Sequence, residues 1–203
     1  SSIDAREGDC DVVDPCGVTR ARAGEAMFDG VGVLVGGDVA INVGEFSGSI
    51  LFKDVVNSQS NETNSASLQR ALTLSAGTGG EIVFSGDVGT GENGALGKIE
   101  IVSTGTLQAK AITAAGFTQR AGSVSTTLNG AIVAGADEVL PDLANPVSVK
   151  SSSIILNAPV TARNGGVWLE ASSGPRLIDI KAAGDLESDG SVRIWADRGV
   201  TTA

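Results

Sequence analysis

Two short apolar motifs alternate along this chain and return at a nearly constant interval, and no other feature constrains the fold as tightly. The first begins with an apolar residue, passes through a few small or polar residues and closes on another apolar one. It reads FKDVV at Phe52, FSGDV at Phe84, LQAKAI at Leu107, LNGAI at Leu128, LNAPV at Leu156 and IKAAGDL at Ile180, at intervals of 32, 23, 21, 28 and 24 residues. The second is an alternating apolar triplet followed by a Gly-bearing turn: LTLSAG at Leu72, IEIVSTG at Ile99, VWLEASSG at Val167 and VRIWADRG at Val192. Alternation over four to seven residues between Gly, Asn, Ser and Asp clusters is the signature of short strands. Strand units that recur at one interval cannot each bury an apolar face alone, so they must stack on their neighbours.

These intervals predict an all-β, single-stranded parallel β-helix, with strands of one coil lying about 4.8 Å above those of the coil before. Val, Ile, Leu and Phe then form inward columns, and insertions leave at corners. The polar stretch from Asn57 to Ser67 reads as the longest such loop. An antiparallel sandwich also has short, regularly spaced strands, but it needs tight hairpin turns. Only Asn129-Gly130 and Asn164-Gly165 offer them between strands. Helical spacing is confined to two short stretches, Asn64 to Ala71 and Ala21 to Met27. Residues 46 to 203 carry the repeat and are expected to be solenoid coils. Residues 1 to 45 do not follow it clearly and are expected to be a cap or assembly segment.

Gly makes up 28 of 203 residues, about twice the usual share, which suits closely stacked backbone layers. There is no His, so the commonest general base and metal ligand near neutral pH is missing. With 14 basic and 24 acidic residues, the net charge of −10 disfavours nucleic acid and anionic membrane surfaces. No apolar run is long enough to insert into a bilayer. Cys10 and Cys16 flank an Asp-Pro turn in DCDVVDPCG, where a disulfide closing a small loop fits; a reduced pair and a metal site are the alternatives. A disulfide would place the chain in an oxidising compartment outside the cytoplasm.

The stretches LTLSAGTGGEIVFSGDVG, LGKIEIVSTGTLQAKAITAAGFTQRAGSVSTTLNGAIVAG and SIILNAPVTARNGGVWLEA resemble the repeats of giant bacterial surface proteins of the filamentous-haemagglutinin-like β-helix adhesin type. The resemblance covers roughly Leu72 to Thr202 and is one of rhythm. It implies export to the cell surface, a right-handed β-helix shaft, and a role in adhesion, aggregation or coat formation.

The expected function is therefore an extracellular structural or adhesive β-solenoid in a cell-surface fibre, sheath or adhesin, without enzymatic activity or a cofactor. Its expected partners are further copies of itself, the rest of a longer chain, or surface glycans. The alternative is a polysaccharide-binding or polysaccharide-degrading β-helix protein, which would need paired carboxylates. Carboxylates occur as Asp9, Asp11 and Asp14, as Asp137 and Glu138, and as Asp179, Asp185, Glu187 and Asp189, all of which read more simply as solvated surface. Trp168 and Trp195 lie 27 residues apart in the outward phase of the second motif, a candidate exposed aromatic pair on adjacent coils. Asn129 and Asn157 follow equivalent leucines and are candidates for a stacked Asn ladder. The acidic, Gly-rich stretch Ser85 to Asn93 and the acidic DCDVVD are the candidates for calcium, but neither matches a calcium β-roll repeat or an EF-hand loop.

Overall fold

The computed structural model describes residues 2–4, 18–22, 24–29, 32–59, 69–91, 93–135, 146–172, 177–181, 184–196 and 199–202. Among these residues the fold is all-β, built from parallel strands in a curled sheet, and there is no helix. After β1 (Ser2–Asp4) and β2 (Val18–Arg22), the strands come in rows. The first row is β3 (Glu25–Phe28), β4 (Val33–Val35) and β5 (Val39–Asn42), and the second is β6 (Ser49–Phe52), β7 (Val56–Ser58) and β8 (Leu72–Ser75). The third is β9 (Glu81–Phe84), the single bridging residue Val88 and the first half of β10 (Leu96–Ala109). The second half of β10 and the long β11 (Ile112–Gln119) form the fourth.

The fifth row is β12 (Gly122–Leu128), β13 (Ile132–Ala134) and β14 (Val147–Ser151), and the sixth β15 (Ser153–Leu156), β16 (Val160–Ala162) and β17 (Val167–Ala171). The seventh is β18 (Leu177–Ile180), β19 (Leu186–Ser188) and β20 (Val192–Ala196), and β21 (Gly199–Thr202) follows.

Each member of a row pairs in parallel with the same member of the next row, giving three stacks that the chain visits in a fixed order. The backbone ladder continues past the strand ends: Lys53 N–H donates to Phe28 O, Ser85 to Phe52, Asn129 to Ala109, Asn157 to Leu128 and Lys181 to Leu156, at 2.7–3.0 Å. In rows two, three, five, six and seven this corner is therefore hydrogen-bonded to the row beneath, so little buried backbone is left unpaired there.

Period-two alternation sends one set of side chains inward. In the first stack the inward columns run Ala26, Ile50, Ile82, Leu107, Thr126, Ile154 and Ile178, and Phe28, Phe52, Phe84, Ala109, Leu128, Leu156 and Ile180, all buried. Phe28, Phe52 and Phe84 stack face to face, with ring centroids 4.6 and 5.0 Å apart and planes within 9°. In the third stack Ile41, Leu74, Ile101, Gln119, Val149 and Leu169 form one column.

The first motif aligned Leu107 with Phe84, but Leu107 lies on Ile82 and Ala109 lies on Phe84. Both positions face inward, so a slip of two residues leaves the apolar pattern intact and is invisible to periodicity. The helix expected over Ala21 to Met27 is instead an antiparallel hairpin of β2 and β3, turned at Gly24 with φ of 78°. That backbone suits glycine and breaks a helix, and Ala26 and Phe28 follow strand alternation into the core. Residues 60–68 lie outside the described set; Gln69, Arg70 and Ala71, at the end of the other expected helix, are irregular. The stacks reach into the segment expected to be a cap, because β3 pairs with β6 and β5 with β8 in parallel.

Rows four and five break the aliphatic rule. Gln119 and Thr126 both point inward, and Thr126 Oγ1 donates to Gln119 Oε1 at 2.8 Å. Gln119 Nε2 and the neighbouring Ser151 Oγ are buried without a hydrogen-bond partner. Thr126→Val should therefore cost about 1–3 kcal/mol, because it strands a buried amide. The double change Gln119→Leu with Thr126→Val should be near neutral, and chemical denaturation of the two variants checks the contrast. Phe52→Ala removes the middle ring of the stack and should destabilise by about 3–5 kcal/mol in the same measurement.

Candidate binding surface

The outward positions of the third stack differ from those of the other two. On the parallel strands of the first and second stacks there is no Lys or Arg, whereas the third stack carries Lys98, Lys150 and Arg193, with Arg120 immediately after β11. Strand alternation accounts for their placement: Lys98, Lys150 and Arg193 each fall in the outward phase between residues of the inward phase. Glu100 accepts from Lys98 Nζ at 2.7 Å and is paired with Arg120 Nε from the next row. Glu170 accepts from Lys150 Nζ at 2.8 Å, directly across the register.

These hydrogen bonds set the charge state of both carboxylates. The ammonium of Lys98, and next to it the guanidinium of Arg120, hold Glu100 below the ordinary carboxylate range against the opposing effect of burial. Lys150 does the same for Glu170, helped by donors from Trp168 and Ser172. Both carboxylates sink beneath their partners, with side-chain exposures of 15% and 19%, while Lys98, Arg120 and Lys150 remain 36%, 62% and 49% exposed.

Trp168 and Trp195 both lie on this face. The register pairs Trp168 with Arg193 and Glu170 with Trp195, so the two indoles are offset by two residues on adjacent strands rather than stacked on each other. The Arg193 guanidinium sits 5.8 Å from the Trp168 ring centroid, within cation–π reach. Trp195 is half exposed.

Asn129 and Asn157 occupy the corner between the first and second stacks, where Asn157 Nδ2 donates to Asn129 Oδ1 at 2.8 Å. Cys10 and Cys16 lie outside the described residues, as do Asp9, Asp11, Asp14, Asp137 and Glu138. Asp179 is bonded to Lys181 and Thr201, and Asp189 accepts from the Asn164 amide. Among the described residues no three His, Cys, Asp or Glu side chains converge to hold a metal ion, and no helix is long and apolar enough to cross a membrane.

Sequence reasoning singled out the two tryptophans but missed the cations and carboxylates around them. The signal was present in IEIV, VWLEA and VRIWA, where the outward phase of one motif holds Glu, Trp and Arg. No family model, curated protein or solved structure matches the chain.

Because Glu100 and Glu170 have lowered folded-state pKa values, the stability they contribute is present above about pH 4.5 and is lost as pH falls through the lower folded values. The melting temperature should therefore fall on acidification below pH 4.5. The double variant Glu100→Gln with Glu170→Gln should flatten that fall, each pair being worth on the order of 1 kcal/mol.

Proposed function

We propose that this chain is a stretch of right-handed, single-stranded parallel β-solenoid in an extracellular structural or adhesive protein, part of a cell-surface fibre, sheath or adhesin. One observation carries the reading: from β3 to β21 the chain visits three parallel stacks in the same order, each row in register with the last. That is how a chain wound into coils pairs with itself. Right-handedness accords with the strong chirality of crossovers between parallel strands.

A shaft of this kind transmits load along its axis through backbone hydrogen bonds and presents long flat faces, which suits spacing and attachment better than turnover of a substrate. Glu100 and Glu170 of the third face are held as anions by the lysine and arginine side chains paired with them, so they serve as acceptors and are poor proton donors near neutral pH. Export fits the acidic surface and the two closely spaced cysteines. The rhythm shared with filamentous-haemagglutinin-like repeats points the same way.

Cryo-electron microscopy of the native protein should show a rod with rows about 4.8 Å apart along its axis, and antibodies should label intact producing cells. A packed antiparallel sandwich, or labelling only after permeabilisation, would overturn the reading.

A further inference from the structure

We propose that the outward face of the third stack binds an anionic polysaccharide, with Trp195 as the stacking platform and Arg120, Lys150 and Arg193 pairing with its acidic groups. The inference deepens the adhesive part of the function above and rests on it. Three observations support it together.

The first is charge. The chain is strongly acidic, yet among the described residues of rows three to seven this face carries four cations against two carboxylates. The carboxylates lie underneath and the cations above them, so the layer that meets solvent is cationic. Glu100 and Glu170 act as positioning residues that hold the ammonium and guanidinium groups in place. An acidic polymer finds complementary charge here and like charge over most of the remaining surface. A second copy of a chain with net charge −10 carries the same acidic excess.

The second is the indoles. Both tryptophans of the protein stand on this one face. An exposed indole offers a flat apolar surface to the C–H face of a sugar ring and an N–H to its hydroxyls. The Arg193 guanidinium, steadied over Trp168, has no ion pair among the described residues and can pair with a carboxylate or sulfate.

The third is geometry. Lys150, Glu170 and Trp195 are consecutive members of one cross-row column, and Arg120 precedes them on the row below. At about 4.8 Å per row the column spans about 14 Å, enough for a few sugar rings lying across the strands. Uronate and sulfated glycans share the required chemistry, and the test separates them.

The chain has no Tyr, so its indole emission comes from Trp168 and Trp195 alone. Titration with polygalacturonate and with heparin should shift that emission for at least one of them, and binding should weaken as salt is raised. Trp195→Ala should weaken binding roughly tenfold, read from the remaining Trp168 signal and from mobility in polysaccharide-containing gels. Lys150→Ala with Arg193→Ala should weaken it at least roughly tenfold with both indoles in place. If that pair fails to fold by circular dichroism, Arg120→Ala is the substitute, since Lys98 still satisfies Glu100. The proposal is overturned if neither acidic polysaccharide shifts the emission or retards the protein, if neutral dextran binds equally well, or if poly-L-glutamate binds as tightly. A rod at the cell surface that binds none of these would keep its structural role and lose this one.

Discussion

Everything in this structure depends on the parallel backbone ladder between rows. Each strand is only three to five residues long at most positions and would not hold together alone. Its amides are satisfied by the row on either side, and those bonds run on through the corners at Lys53, Ser85, Asn129, Asn157 and Lys181. Once the ladder is set, the direction of every side chain follows. Alternate residues fall into inward columns whose members touch the equivalent residue above and below. The three phenylalanines stack because the ladder puts them there, and the aliphatic columns close without a long helix or a thick core.

The same constraint acts outside. Outward residues are brought together by register, not by proximity in sequence, so Glu100 meets Arg120 and Lys150 meets Glu170 across twenty residues. A flat face built this way collects whatever the outward phase of one motif contains. In the third stack that includes Lys, Glu, Arg and Trp; in the other two it is Ser, Thr and scattered carboxylates interleaved with apolar residues such as Met27, Leu51, Val83 and Ile155. The uneven spread gives an acidic chain one face of opposite character.

Much of the architecture was legible in the sequence, because period-two alternation and recurrence of whole motifs are local signals. Leu72 over Ile99 and Val167 over Val192 pair as their shared motif suggests. What periodicity could not supply was absolute register. Leu107 and Ala109 are both inward, and only the neighbouring row decides which of them meets Phe84. The hairpin at Gly24 was obscured because ARAGEAM has helix-forming composition, and the glycine conformation that breaks it shows only in the backbone. The surface cluster was hidden for a related reason. No single segment contains it, and its members share a face only after the rows are aligned.

That ambiguity confronts the folding chain as well as its reader. A row of interchangeable aliphatics can slide by two residues over its neighbour and still present an apolar inner surface, so hydrophobic burial alone discriminates weakly between alignments. Gln119 and Thr126 break the degeneracy. Their bond forms in one alignment, and any slip of the fourth row against the fifth separates an amide from its hydroxyl inside the core, at about 1–3 kcal/mol for each stranded group. The polar pair thus works as an index mark in an otherwise repetitive interior, giving up some packing to make one alignment distinct from its near copies.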